Sequence, residues 1–200
     1  MGSKSASILK LKELGLNTPV VCVLGDDLAL TKFIQNIPPD WTRVSIRTDM
    51  KSPYTSWGLP FYPNKDRRET YSILTKLGKC LDKIDIIVSK GIDLHDTIMS
   101  GKYMRDPVQG DIIEYVLGPS TVRDIDKGIP NSWKIGGKMP HDLLSLQLPV
   151  NLHYSLSHTI EQTDRGFRAP YILEFSVYPY GVGKLHKSLI FWEVIEEKRQ

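Results

Sequence analysis

The chain has 200 residues, 40% hydrophobic and 24% charged, with 26 basic and 23 acidic side chains for a net charge of +3. This is the composition of a globular protein able to bury one core or two packed lobes. It excludes a membrane span, because no apolar run approaches the roughly 20 residues a bilayer requires, and the near balance of charge argues against a broad nucleic-acid footprint. The opening Met1-Gly2-Ser3-Lys4-Ser5-Ala6-Ser7 has no apolar signal core, and Ala6 stands where a myristoylation signal takes Ser or Thr, so the expected location is cytoplasmic. Cys22 and Cys80 have neither metal nor disulfide spacing and read as reduced residues.

Residues 3 to 15 place Ile8, Leu9, Leu11 and Leu14 among Ser, Lys and Glu, which predicts a short amphipathic helix stopped by Gly15. The run Val20 to Leu24, between Pro19 and Gly25, predicts a strand buried on both faces and hence a parallel or mixed sheet. A helix over 27–35 and an alternating strand over 43–47 suggest a crossover unit. From Ser52 to Asn64, four prolines and glycines among Tyr54, Trp57, Phe61 and Tyr62 predict an irregular loop. A helix over 67–83 and a strand over 85–89 follow, then strands over 111–117 and 121–125 around Gly118-Pro119. Residues 126 to 150 are broken by Gly and Pro, with a brief helix at 142–147. The C-terminal part predicts a hairpin of strands 171–177 and 188–195 around a loop carrying Gly181 and Gly183.

Three patches, in order, carry a family likeness. The segment Gly2-Ser3-Lys4-Ser5-Ala6-Ser7-Ile8-Leu9, followed by Leu14-Gly15-Leu16-Asn17-Thr18-Pro19, lacks Walker A spacing. It resembles the opening of the nucleotide-binding domain of phosphoenolpyruvate synthase and pyruvate phosphate dikinase, of the ATP-grasp class. The resemblance implies phosphate contacts for Lys4 and, through Ser45-Ile46-Arg47-Thr48, for Arg47; Asp85 to Gly91 is similar to the strand that brings a further lysine, here Lys90. Next, Asp111 to Gly118 is similar to the hinge strand of that class. There the backbone grips adenine and an acid meets the ribose, which implies Glu114, Tyr115 and Val116 as nucleotide-binding residues.

Finally, Leu173-Glu174-Phe175 and Phe191-Trp192-Glu193-Val194 resemble the paired strands that hold Mg²⁺ in ATP-grasp sites, implying Glu174 and Glu193 as metal ligands. A carboxylate amid apolar residues needs a partner, and magnesium takes hard oxygen donors. Ile195 stands where an Asn often completes that site, and an ion-pair network with Arg165, Arg168 or Lys184 is the structural alternative.

The five histidines are dispersed, without zinc-binding spacing, and no GxSxG elbow occurs. The expectation is an α/β (α+β) protein with a two-lobed ATP-grasp-like fold and mixed sheets. Residues 1–105 form an N-terminal lobe, 106–200 a C-terminal lobe with the metal hairpin, and ATP with Mg²⁺ lies between them. The implied function is an ATP-dependent transferase or ligase acting by phosphoryl transfer or carboxylate activation on an acceptor left open. The alternatives are a non-catalytic nucleotide-sensing module and an RNA-binding protein using Lys65, Arg67, Arg68 and the aromatics of 54–62.

Overall fold

The computed structural model describes residues 4–51, 59–92, 96–119, 125, 128–146, 151–179 and 189–196. Two compact units emerge, one built of residues 1–2, 6–18 and 94–200, the other of 3–5 and 19–93. The division thus falls near residue 93, ahead of the expected 105/106, because strand β5 (Met99–Arg105) is hydrogen-bonded between β6 (Ile112–Leu117) and β8 (Tyr171–Val177). No helix among the described residues is long and apolar enough to cross a membrane.

The smaller unit is a four-stranded sheet in the order β1-β4-β2-β3, from β1 (Val21–Leu24), β2 (Val44–Met50), β3 (Phe61–Lys65) and β4 (Ile84–Lys90). Helices α2 (Asp27–Gln35) and α3 (Arg67–Gly78) cover one face. Asp26 caps α2 through the Ala29 amide at 2.7 Å, and Asp66 with Glu69 forms a capping box on α3. Leu30, Phe33 and Leu74 pack onto Val44, Ile46, Ile86 and Val88.

All pairings in this sheet are antiparallel, which corrects the parallel or mixed sheet expected. β1 and β2 do run in one direction, but β4 inserts between them and runs the other way. β4, not β1, is the strand buried on both faces, with Ile86, Ile87 and Val88 all inaccessible, whereas β1 is an edge strand. The loop expected over 52–64 ends in β3, which pairs with β2; residues 52–58 lie outside the described residues.

The larger unit is a five-stranded antiparallel sheet, β7-β6-β5-β8-β9, with β7 spanning Asn131–Lys134 and β9 Leu189–Glu196. Leu11 of α1 (Lys4–Glu13), Leu143 of α4 (His141–Ser145) and Leu152 and Leu156 of α5 (Leu152–Asp164) pack on its inner face against Tyr103, Tyr115, Tyr171 and Phe175. Gly101 of β5 is required there, since a Cβ would enter the Phe175 ring. Among the described residues the outer edge of β9 is covered by side-chain and loop bonds and not by a further strand. Ser7 Oγ accepts from the Val194 amide (2.8 Å) and donates to its carbonyl (3.0 Å), while the Asn17 side chain donates to Leu189 O and its carbonyl accepts from Phe191 N.

The C-terminal hairpin stands as expected, although its loop, with Gly181, Gly183 and Lys184, lies outside the described residues. The strand expected over 121–125 also falls largely outside them; the described partner of β6 on that side is β7.

Candidate functional site

Directly paired residues of neighbouring strands project to the same face of a sheet. The register pairs Ser132 with Glu114, Glu114 with Lys102, Lys102 with Glu174 and Glu174 with Glu193. One continuous polar rung therefore crosses all five strands on the face opposite the core. An apolar row, Ile112, Met104, Ile172 and Ile195, flanks it on one side, and on the other a row in which Val116 and Ile190 bracket the serines Ser100 and Ser176.

Three carboxylates against one ammonium leave this rung with an excess of negative charge. Lys102 Nζ lies 3.9 Å from Glu174 Oε1, too far for a hydrogen bond, so the pair attracts through space. Both side chains are mostly covered, 14% and 16% exposed, and Glu193 is 9% exposed. Facing carboxylates in such surroundings are stabilised by a cation placed between them. Magnesium takes one or two protein carboxylates and completes its shell with phosphate oxygens and water. Among the described residues no group of three or more His, Cys, Asp or Glu converges as an all-protein metal site. The opposed pair Glu174 and Glu193 fits the open, two-carboxylate kind.

Register along β9 is broken once. Glu174 faces Glu193 but Phe175 faces Phe191, so Trp192 is the extra residue of a bulge. Its indole Nε1 donates to Ser176 Oγ at 2.9 Å, and Ser176 Oγ lies 2.9 Å from Ser100 Oγ.

The three residues of the expected hinge separate by face. Glu114 and Val116 project to the outer face, whereas Tyr115 is buried in the core and donates its hydroxyl to Asp142 at 2.9 and 3.0 Å. Burial, then Asp142, raises the Tyr115 pKa well above the usual phenol value. Among the described residues β6 is paired with β5 as far as Leu117 and with β7 as far as Tyr115.

Two of the three candidate phosphate cations, Arg47 and Lys90, lie on opposite faces of the smaller sheet. Arg47 lies on the face of the smaller sheet opposite its helices, its guanidinium 4.6 Å from the Phe61 ring centroid. Lys90 pairs with Val44, on the helix-covered side, and is held by Asp40 at 2.8 Å. Lys4 opens α1 and is half-buried. Of the basic residues singled out for RNA, Lys65 is paired with Glu69 at 3.0 Å and Arg67 donates to the carbonyls of Ile37 and Pro38, both structural commitments. Lys65, by ion pair and hydrogen bond, holds the Glu69 carboxyl below its ordinary pKa.

Sequence reasoning missed Lys102 and the Ser100–Ser176–Trp192 chain. The signal available for Lys102 is the alternation of Met99, Gly101 and Tyr103 with Ser100, Lys102 and Met104, which the glycine disguises.

No family model matches the sequence, and no curated protein matches it. Solved structures are similar in fold. The D-cycloserine synthetase DcsG superposes with TM-score 0.50 at 12% identity, covering 94% of this chain and 59% of that one. The RiPP-associated ATP-grasp ligase of Chryseobacterium gregarium, solved with ADP and a leader and core peptide, gives 0.47 at 12% identity over 92% and 48%. N5-carboxyaminoimidazole synthetase of Staphylococcus aureus, complexed with ADP, gives 0.48 at 9% identity over 96% and 43%. The chain thus spans about half the length of these proteins. Its fold is ATP-grasp-like and α+β. The narrower likeness to phosphoenolpyruvate synthase rests on the sequence patches alone.

Proposed function

We propose that this ATP-grasp-like chain binds ATP with Mg²⁺ against the outer face of the five-stranded sheet and uses it to activate a carboxylate for ligation to an acceptor. The observation that carries the reading is the opposition of Glu174 and Glu193 in register, with Lys102 beside Glu174 and an apolar row on one side. Glu174 and Glu193 would hold the metal, which when bound neutralises phosphate charge and polarises a phosphoryl oxygen.

The remaining roles belong to the chain's own side chains. Lys102 offsets the negative charge of the rung and holds Glu174 in line with Glu193. Glu114 accepts from a ribose hydroxyl, and the rows containing Val116, Ile172 and Ile195 exclude water, which strengthens every charge interaction beside them. Arg47 is the proposed phosphate cation of the smaller unit, with Lys90, on the other face of that sheet and held by Asp40, as the alternative to it; Lys4, at the start of α1, is the third candidate. Positioning and charge compensation of this kind form most of what a protein contributes to phosphoryl transfer.

Calorimetric titration of ATP with and without Mg²⁺, beside a single-stranded RNA control, tests the reading. ATP binding that requires Mg²⁺ and weakens strongly in both Glu174→Gln and Glu193→Gln is expected. Arg47→Ala and Lys4→Ala should each cost about 1.5–3 kcal/mol of ATP affinity. RNA binding without Mg²⁺-ATP binding would overturn it.

A further inference from the structure

Strict alternation along β9 would turn Trp192 inward, on the opposite face from Glu193 and on the same face as Phe191's neighbours in the core. The bulge changes this. Phe191 and Val194 both pack in the core, so the two residues between them, Trp192 and Glu193, are both released to the outer face. The extra residue has to sit somewhere along the strand, and its place decides which side chain faces Glu174. Moving it one step would turn Glu193 away from Glu174.

The Trp192 side chain opposes the slip. Trp192 Nε1 donates to Ser176 Oγ, and Ser176, two residues from Glu174 on the same face of β8, is joined in turn to Ser100 of β5. Both serines are buried, at 2% and 0% exposure. A hydroxyl pair at that depth, between Val116 and Ile190, is costly to leave without partners, so the indole is tied to strands that are themselves internal to the sheet.

We propose that Trp192 is a positioning residue for the carboxylate pair: anchored on Ser176, it fixes the bulge of β9 so that Glu193 faces Glu174, and thereby sets the affinity of the pair for a divalent cation. The proposal rests on the reading of that pair as the magnesium site. Trp192 makes no contact with the metal in this role; it acts through the backbone of β9.

The experiment measures ATP binding over a series of Mg²⁺ concentrations for the whole chain, alongside thermal melts in EDTA. Trp192→Phe keeps an aromatic ring, smaller than the indole, and loses the N–H, Ser176→Ala removes the acceptor, and Ser176→Thr keeps a hydroxyl. The Mg²⁺ concentration at half-maximal ATP binding should rise roughly tenfold in Trp192→Phe and Ser176→Ala, the scale on which residues behind metal ligands act. Ser176→Thr should return towards wild type, and at saturating Mg²⁺ all three should bind ATP nearly as wild type does. An unshifted Mg²⁺ midpoint in the first two variants overturns the proposal, as does a loss of ATP affinity equal at every Mg²⁺ concentration or a loss that merely follows the melting temperature. Wild-type binding that ignores Mg²⁺, or a Glu193→Gln variant that behaves as wild type, instead sinks the metal site and the positioning role with it.

Discussion

Glu174 on β8 stands directly opposite Glu193 on β9, and Lys102 approaches Glu174 from the other neighbouring strand to 3.9 Å. The lysine is thus the cation of the rung that offsets carboxylate repulsion while no metal is bound. Lys102→Met keeps most of the side-chain volume and removes the charge. In EDTA the variant should lose about 1–2 kcal/mol of stability, less than for a fully buried, hydrogen-bonded pair because the contact is long. Mg²⁺ with ATP should narrow the gap. Melts showing Lys102→Met as stable as wild type in EDTA would remove this role.

Gly101 and Phe175 predict a steric test of the sheet. A Cβ on Gly101 enters the Phe175 ring, and both lie in the middle of paired strands that cannot easily part. Gly101→Ala should cost about 1–3 kcal/mol as an overpacked site. Adding Phe175→Leu should restore part of that loss, so chemical denaturation of the single and double variants gives a coupling energy. Strict additivity would show that the ring does not fill that space.

Alkaline pH should destabilise the larger unit. Burial, followed by Asp142 for Tyr115, Asp164 for Tyr171 and Asp111 for Tyr103, raises all three phenol pKa values in the fold. Raised acids stay protonated in the native state while the unfolded chain ionises, so the stability they contribute is complete below about pH 10 and falls as pH rises further. Burial acts to lower the pKa of Arg105, but Asp111 and Asp164 outweigh it, and their bonds at 2.8 and 3.0 Å keep the guanidinium charged throughout this window. Tyr171→Phe should cost about 1.5–3 kcal/mol at neutral pH by removing a bond to a carboxylate and should flatten the alkaline slope. An unchanged slope between pH 9.5 and 11 would refute the assignment.

The legibility of the chain followed local chemistry. α2 over 27–35 and the β8–β9 hairpin are plain because caps and apolar runs mark them, and the hairpin places Glu174 against Glu193 as its pattern implies. α5 is obscure because Leu152, Leu156 and Ile160 are interleaved with His, Ser, Thr and Gln, so its start depends on Asn151 capping Tyr154 at 3.0 Å. β5 is obscure because Gly101 reads as a breaker, whereas Phe175 across the strand is what requires it. The antiparallel order around β4 is not written locally at all, since it depends on pairings between β1, β2 and a strand some 40 residues further on.

Ser7→Ala tests the closed edge of β9. The substitution removes two buried hydrogen bonds to Val194, leaving an amide and a carbonyl without their partner, and should cost about 2–3 kcal/mol. Hydrogen exchange at the Val194 amide should speed up more than at Val88, which lies in the other unit. Equal acceleration at both amides would mean that the clasp is not local to β9.

The same clasp orders events during synthesis. Ser7 and Val194 are 187 residues apart, about ten to forty seconds of translation at roughly 5–20 residues per second. The sheet of residues 19–93 is contiguous and can close in that interval, while Ser7 and Asn17 wait without their β9 partners until that strand has been made. A ribosome that stalls before residue 189 therefore holds a finished smaller unit and a larger sheet in which β8 lacks its β9 partner, an open strand edge of the kind that chaperones recognise.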